Sequence, residues 1–515
     1  MSHIISIPFG PWLPDQPRLN NPGSVMVENL IPIAAASYRP MVDFSPLSES
    51  LAARCNGMFS CINRDRTVNN FATTANNIYL LNMSNNTWRN VSATGGYNGE
   101  IDRNWAAVNY AQTVLFANYS DPVQHYDLIG GTGKSIPLGN NVPKARYLAI
   151  IRDFVMMANL FDATDGACPY RVQWSAIGNA LSWPQPGTSA AVSAQSDMQD
   201  LLGNGGEIQG IVGNLGSVDG VVFTEHMMYR INYVGAPAIF SFMPVENSRG
   251  TSVPNSIVQV GSRVFFLGDD GFYQFEGADV TPIGSGRVDK SFFQDVDQSK
   301  LHLISATSDP INSLVFWSYK SNSSKNGRPD RLLIYNWSIV NADGSVGRWT
   351  RCKLDCNLLG RFTSQGGGLE SISQNYANLE AIPFSFDSRF WQGTKQFLAI
   401  MDGANKLSLP NRAQSQFRLT TPLVAVNNGD FGSVLSARLI CESAGEFTLT
   451  ATLNCKRNLS DADMALVQSG RQGERMLFPR NMGRYAALEV QINDPAQAIH
   501  HIMGVELEIV PGGRK

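Results

Sequence analysis

Charged residues are scarce in this sequence. They make up 16% of its 515 residues, against about 25% in an ordinary globular protein. The 40 lysines and arginines nearly balance the 43 aspartates and glutamates, which leaves a formal net charge of −3. Affinity for a nucleic-acid backbone needs clustered lysine and arginine, and no basic stretch provides them. The composition therefore argues against a protein that binds nucleic acid by electrostatic attraction.

Cysteine, histidine and long apolar runs are also scarce. Seven cysteines, an odd number, do not build a disulfide framework. Cys55/Cys61 and Cys352/Cys356 have no histidine beside them, which favours buried free thiols over zinc sites. The longest apolar runs, such as residues 30–36, are far shorter than the roughly 18 residues of a membrane helix. The N-terminus lacks the pattern of a signal peptide, so we expect no membrane segment and folding in the cytoplasm.

Glycine and proline, in contrast, are plentiful, with 46 and 26 copies, and hydrophobic residues make up 43% of the chain. The clearest local unit is Arg263–Glu276, whose strand, Asp-Gly turn and second strand form a hairpin signature. Overlaying Tyr273 on Tyr229 and on Tyr79 aligns both apolar strands and the turn between them. Three matched hairpins indicate an internal repeat.

Weaker copies of this hairpin fill the rest of the chain, with steps of 44 to 72 residues between anchors. Blades of a β-propeller repeat every 40–50 residues or so, and longer steps indicate loop insertions. The strands are short, apolar on both faces and joined by turns, as in sheets covered on both sides. We predict an all-β fold with a β-propeller of about seven blade-like units, and an irregular stack of β-sandwiches is the alternative. The predicted anchors are Tyr79, Tyr126, Tyr170, Tyr229, Tyr273, Tyr335 and Leu407.

Both ends of the chain depart from the repeat. Residues 1–50 are rich in proline and sustain no period, which predicts an extended N-terminal arm that either packs back or reaches a neighbouring subunit. Residues 51–412 form the predicted propeller-like domain. Residues 413–515 alternate apolar and polar positions, which predicts a C-terminal β-sandwich. A capping box at Ser460 predicts a short helix there.

No motif in the sequence predicts a catalytic, cofactor-binding or metal site. Gly130–Ser135 resembles part of a phosphate-binding loop but lacks its first glycine and the following helix, so we interpret it as a flexible inter-blade loop. Asp269-Asp270 and Asp343-Gly344 are typical of turns rather than of paired catalytic carboxylates. Ser84–Trp88 and Asp343–Trp349 faintly resemble the Asp-boxes of sialidases, which are structural turns on propeller blades. We therefore expect no enzyme, no cofactor and no bound metal.

The layout of the chain resembles one protein family. Its sequence opens with Pro11-Trp-Leu-Pro14, Asn20-Asn-Pro-Gly23 and Ser37-Tyr-Arg-Pro40, continues with blade-like Gly-x-x-Tyr hairpins, and ends on an alternating segment closed by Gly512-Gly-Arg-Lys515. This arrangement resembles the nozzle, or tail-hub (tail tubular), proteins of short-tailed bacteriophages. No catalytic residue comes with that family.

The resemblance implies a structural subunit of the virion tail, assembled in the host cytoplasm and active in genome ejection. Six copies would form a homo-oligomeric ring below the portal and adaptor proteins. That ring would continue the channel for double-stranded DNA, without sequence-specific binding, and would anchor tail fibres or spikes. The scarcity of charge agrees with this, because the cores of permanent interfaces are depleted of charge. The alternatives are a carbohydrate-binding or glycan-degrading propeller and a cellular scaffold propeller.

Overall fold

The computed structural model describes residues 2–35, 37–139, 142–245, 249–341, 343–366 and 389–512. The chain is all-β, as predicted, with 53% strand and 5% helix. Its helical segments are α1 (Ser189–Ala194), α2 (Asp289–Asp295) and the 3-10 turns Pro254–Ser256, Gln298–Leu303 and Arg389–Gln392. Among the described residues, every helix falls short of the length and apolar character that crossing a bilayer requires.

The predicted N-terminal arm consists of strands that pack on the rest of this chain. These strands are β1 (His3–Pro8), β2 (Met26–Glu28), β3 (Leu30–Ala34), β4 (Ser37–Pro40) and β5 (Val42–Ser50). Phe9 and Trp12 are buried between them and the later strands, which removes their apolar surface from water. Of the two options that the sequence left open, packing back is the one the structure contains.

Six separate four-stranded antiparallel sheets form a six-blade β-propeller arrangement. Five of them are consecutive meanders, and the sixth combines three later strands with β5. The first sheet comprises β6 (Gly57–Ile62), β7 (Val68–Thr73), β8 (Ile78–Asn82) and β9 (Thr87–Asn90), and the second comprises β10 (Ala106–Tyr110), β11 (Thr113–Ala117), β12 (Gln124–Asp127) and β13 (Ile136–Pro137). The third comprises β14 (Lys144–Ile151), β15 (Phe154–Asp162), β16 (Gly166–Trp174) and β17 (Met198–Asp200), and the fourth comprises β18 (Ile208–Gly213), β19 (Gly220–Thr224), β20 (Met228–Gly235) and β21 (Ile239–Pro244). The fifth comprises β22 (Val258–Val260), β23 (Arg263–Leu267), β24 (Phe272–Phe275) and β25 (Val280–Pro282).

A further meander lies between the last two of these sheets in the chain. It consists of β26 (Ser305–Asp309), β27 (Leu314–Tyr319), β28 (Arg331–Val340) and β29 (Val346–Lys353). These four strands begin a ten-stranded sheet that continues through β2 into the C-terminal region. The sixth propeller sheet then follows as β30 (Leu358–Thr363), β31 (Gln396–Met401), β32 (Lys406–Ala413) and the returning β5.

The hairpins predicted from the sequence coincide with the second and third strands of these sheets. Each of the seven predicted anchors lies on the third strand of a four-stranded meander, namely β8, β12, β16, β20, β24, β28 and β32. The second strands are the ones predicted to be apolar on both faces, and β19 and β27 are buried along their whole length. Neighbouring sheets cover them, as where Phe223 and Phe266 of two adjacent sheets meet edge to face at 5.1 Å.

The C-terminal strands divide between two sheets. They are β33 (Gln416–Thr420), β34 (Val424–Ala425), β35 (Gly432–Ser443), β36 (Thr448–Lys456), β37 (Met464–Ser469), β38 (Met476–Leu477), β39 (Asn481–Gly483), β40 (Tyr485–Asn493) and β41 (Ile499–Pro511). The ten-stranded sheet contains β33, β34, β36, β37 and β40, and a seven-stranded sheet contains β1, β3, β4, β35, β38, β39 and β41. One apolar cluster fills the space between them, including Leu453, Leu488 and Leu507.

The helix predicted at Ser460 is wrong. Residues 459–461 form a turn, and the chain then enters β37. The Asp461 carboxylate accepts a hydrogen bond from the backbone N–H of Asn458 at 2.9 Å. Short acidic side chains compete with helices in this way, because they bind local backbone donors in turn conformations.

Candidate functional site: the central channel

The first strand of every meander faces the middle of the propeller. Contacts between β30 and β6, β6 and β10, β10 and β14, β14 and β18, and β22 and β26 carry this inner wall from sheet to sheet. The gap between β18 and β22 is bridged by Gln259, whose side-chain N–H donates to the Gly213 carbonyl at 3.0 Å. The inner strands therefore enclose a central channel, where propellers commonly bind ligands.

A cavity of about 810 Å³ occupies the end of this channel where the inner strands finish. It is lined by β6, β22, β26 and β30, by the turn after β18 and by the start of β31. The lining residues are Met58, Phe59, Ser60, Asn214, Leu215, Gly216, Ile257, Val258, Gln259, Gly261, Ser262, Ala306, Thr307, Leu359, Gly360, Arg361 and Gln396. The cavity has the size of a small-molecule site.

Uncharged hydrogen bonds fix the cavity wall where the last propeller sheet meets the first. Ser60 donates to the side-chain oxygens of Asn70 at 2.7 Å or Thr363 at 2.6 Å. The Asn70 amide donates to the Thr363 carbonyl at 2.9 Å, and its oxygen accepts from the Thr363 N–H. Because these groups satisfy one another, the seam between the two sheets is rigid.

Arg361 is the one ionisable residue among those that line the cavity. Its guanidinium donates to the Ser308 hydroxyl. Burial lowers the pKa of Arg361, and the nearby Asp309 carboxylate partly opposes that effect. The lining residues that the structure describes include no carboxylate.

Ion pairs surround the opposite mouth of the channel, just before the inner strands begin. Arg54 lies 3.2 Å from Asp102, which also faces His302 at 4.0 Å. Arg146 of β14 faces Glu207 at 3.9 Å. Arg54 and Arg146 therefore each face a carboxylate, which reduces the positive charge available here to attract phosphate.

The motifs noted in the sequence lie in turns away from this channel. Gly130–Ser135 joins the third and fourth strands of one sheet, so the prediction of an inter-blade position is wrong. Asp269-Asp270 forms the turn between β23 and β24. The Asp343 carboxylate accepts from the Ser345 N–H at 2.9 Å in the turn between β28 and β29. Ser84–Trp88 lies at the equivalent turn between β8 and β9, which agrees with a structural role for both Asp-box-like segments.

The predicted free thiols are free in the structure. Cys55, Cys61, Cys352 and Cys356 are buried without disulfides. Burial raises the pKa of Cys55, Cys61 and Cys356 to about 12, and it raises the pKa of Cys352 as well. Among the described residues no group of three or more histidine, cysteine or acidic side chains could hold a metal ion. Of the closing Gly512-Gly-Arg-Lys515, residues 513–515 lie outside the described part of the chain.

Sequence reasoning missed the charged group at the joint between propeller and C-terminal region. β2 pairs in parallel with β29 and antiparallel with β33, so it links the two parts of the ten-stranded sheet. Its Glu28 side chain, 6% exposed, lies 3.1 Å from Lys353, 3.3 Å from Arg418 and 3.9 Å from Arg351. The cations lie more than 300 positions away in the sequence, so no local pattern could reveal the cluster.

Comparisons with known proteins add no family. No protein-family model and no curated protein matches the chain. Among solved structures, the extracellular domain of a putative one component system from B. thetaiotaomicron is similar over 84% of this chain and 47% of that one, with 11% identity and a TM-score of 0.36. The chain thus spans about half the length of that domain. A chain from S. cerevisiae dbp5 bound to nup159, gle1, ip6 and adp is similar over 65% of this chain and 95% of that one, with 11% identity and a TM-score of 0.33.

Proposed function

We propose that this protein is a structural subunit of a bacteriophage tail, of the nozzle or tail-hub type, and forms a homo-oligomeric ring of six copies. The observation that supports this proposal is the ten-stranded sheet, which runs from β26 through β2 to β37 and joins the propeller to the C-terminal region. A subunit that bears force between a portal complex above and fibres or spikes below requires such a stiff connection. The ring belongs to the virion and assembles in the host cytoplasm.

The finer architecture belongs to the same proposal. The β26–β29 meander is a seventh blade, because β26 contacts both β22 and β30, the inner strands of the sheets beside it. The two sheets of residues 413–515 form a β-sandwich, because a common apolar core lies between them. Strand β5 pairs with β32 and becomes the fourth strand of the last propeller sheet, so N-terminal residues close the propeller.

Double-stranded DNA passes between the copies of the ring and not through a propeller. The cavity of about 810 Å³ in the propeller channel is the size of a small-ligand site and cannot admit a double helix. A chain of net charge −3 lets DNA slide, because affinity driven by counterion release needs clustered cations. We expect no sequence-specific DNA binding and at most weak binding at physiological salt.

The test is assembly of the full chain. Light scattering and native mass spectrometry of the purified protein, alone and mixed with portal and adaptor complexes, measure its oligomeric state, and negative-stain imaging locates it. A ring seated on the portal complex is the expected result. A protein that stays monomeric and never joins a tail complex would refute the proposal.

A glycan assay distinguishes the carbohydrate-active alternative. The tail-subunit proposal predicts no binding on a glycan array and no release of reducing sugars from bacterial polysaccharide. The described part of the cavity lining agrees with this, since Arg361 is the one ionisable side chain in it. Sugar release that is lost on changing carboxylates such as Asp102 would support the alternative instead.

A further inference from the structure

The C-terminal region exposes an apolar strand edge. Strand β37 pairs with β36 alone among the described strands, and its sequence Met464-Ala-Leu-Val-Gln-Ser469 contains no charge and no proline. Proteins ordinarily protect a free strand edge with charged residues or proline, and β37 contains neither. The surface around β37 is apolar as well. We name this surface the basic edge, because four arginines, described in the next paragraph, surround it. Its exposed apolar side chains are Met464, Leu466, Val467, Met476, Phe478 and Met482.

Arginines surround this apolar strand. Residues 464–484 contain Arg471, Arg475, Arg480 and Arg484 against one carboxylate, Glu474. Arg475 and Arg484 lie over the Phe447 and Phe431 rings of this region. In the described part of the chain, Arg471 and Arg480 form no ion pair. The basic edge therefore has positive charge free for a partner.

A second apolar surface lies on the outer side of the propeller. It is formed by α1 and β17 of one sheet and by β20 and β21 of the next, and the Tyr233 hydroxyl joins them by donating to the Gln195 side-chain oxygen at 3.1 Å. β17 and β21 are the outermost strands of their sheets. We name this surface the acidic rim. Its exposed apolar side chains are Val192, Met198, Leu202, Val234 and Met243.

Carboxylates dominate the acidic rim. The rim and the turns beside it contain five carboxylates, Asp162, Asp165, Asp197, Asp200 and Asp219, against three arginines, Arg152, Arg171 and Arg230. Arg171 is shared by the carboxylates of Asp165 and Asp200. Asp162 and Asp197 accept hydrogen bonds from nearby backbone N–H groups, and no cation of the described residues pairs with either. The rim thus complements the basic edge in both charge and apolar character.

The two surfaces belong to separate parts of one chain. The apolar core behind the basic edge includes no residue from 142–245, the range that contains the acidic rim. A two-fold contact of β37 with its own copy would bring like-charged arginines together, which charge repulsion disfavours. We infer that the basic edge of one copy packs on the acidic rim of the next copy. A head-to-tail contact closes into a ring when the rotation between successive copies completes a full turn. The proposed ring supplies that condition, so this inference rests on the proposed function and names its interface.

Cross-linking between two variants that each carry one added cysteine, in a chain whose partly exposed Cys441 is replaced by serine, tests this pairing directly. Val467→Cys lies on the basic edge and Leu202→Cys on the acidic rim, with wild-type exposures of 63% and 72%. Mild oxidation of an equal mixture, in the assembled state, should give a disulfide-linked dimer that neither variant gives alone. The control replaces Leu202→Cys by Ile311→Cys, whose residue is 58% exposed on a different sheet. Equal cross-linking with Ile311→Cys, or a Val467→Cys dimer formed alone, would overturn the inference.

Charge reversal tests the electrostatic half of the interface. Arg471→Glu with Arg480→Glu should weaken assembly at least tenfold, measured by light scattering at low salt, because each new carboxylate faces the acidic rim. Asp162→Lys with Asp197→Lys, supplied on the same chain, should restore affinity to within about threefold of wild type. Circular dichroism of each variant checks that the fold is intact.

The outcomes separate this interface from the proposed function. A ring that forms unchanged in the arginine variants overturns the interface and leaves the proposed tail role standing. A wild-type chain that is monomeric alone and with portal complexes overturns both. Rescue by the lysine changes is the result that a merely structural role of the arginines would not produce.

Discussion

Glu28 provides the sharpest test of how the propeller is joined to the C-terminal region. Replacing it by glutamine keeps the side-chain shape and removes the charge that faces Lys353, Arg418 and Arg351. Removing one partner of a buried ion pair costs about 3–5 kcal/mol, since it leaves the other charge unpaired. Glu28→Gln should therefore lower the free energy of unfolding by weakening β2, the strand that links the two parts of the sheet.

Two features of the cluster reduce this cost. Lys353 is 54% exposed, and a pair with an exposed cation contributes about 0–1 kcal/mol. Arg351 keeps Asp295 at 3.3 Å, and Arg418 keeps Glu489 at 3.5 Å. We therefore expect Glu28→Gln to destabilise the protein by about 2–3 kcal/mol.

The measurement is thermal unfolding combined with hydrogen exchange. A chain of this length has a large unfolding entropy, so 2–3 kcal/mol corresponds to a Tm lower by about 2–3 °C. Backbone amides of β2 and β33 should exchange faster than in wild type, because the joint opens first. The control is Glu442→Gln, whose carboxylate is 66% exposed and should change neither quantity. An unchanged Tm together with unchanged exchange in β2 would show that the Glu28 cluster does not hold the joint.

Three further predictions concern other buried groups. Burial raises the pKa of Asp289 from 3.8 to about 7. The stability that the protonated Asp289 contributes is therefore present at low pH and lost as the pH rises from about 4 to 7. Asp289→Asn should lack this loss, which urea unfolding at several pH values measures. Arg348→Met should cost about 1–3 kcal/mol in urea unfolding, because the buried Asn341 side-chain oxygen loses its 2.9 Å donor. Gly347→Ala should cost more than about 2 kcal/mol, because the backbone φ is +87° and a Cβ would meet the Tyr335 ring; an unchanged urea midpoint would contradict it.

The propeller could be predicted from the sequence because its signals are local. A strand, a turn and a second strand lie within about a dozen residues, so Phe265, the Asp269-Asp270 turn and Tyr273 report one hairpin without help from the rest of the chain. Burial on both faces gives the second strands their unbroken apolar character. The same local signals explain why the seven anchors all fall on third strands.

Long-range pairings could not be predicted in this way. β5 pairs with β32 across more than 350 positions, and β2 enters the ten-stranded sheet between β29 and β33. Such pairings depend on which edges remain free once the local hairpins have formed, and no periodicity records that. The channel cavity depends on them too, since Met58 and Arg361 meet there only when the sheets close around it.

Local signals can also mislead where two of them compete. Ser460 and Asp463 matched a capping box, but Asp461 binds the Asn458 N–H and stabilises a turn instead. The short apolar run that follows suits either a helix or a strand. Pairing with β36 over six residues decides for the strand, and that partner lies outside the window in which the cap was read.

Charged residues are few in this chain, and their positions are more informative than their number. Summed over 515 residues the charge nearly cancels, yet residues 153–207 are strongly acidic and residues 464–484 are basic. Inside the protein, charges cluster where the two parts of the ten-stranded sheet join, as at Glu28. On the described surface, charges of opposite sign without an ion-pair partner lie on two apolar patches, the basic edge and the acidic rim. The head-to-tail contact proposed above would use that separation to select partner and orientation.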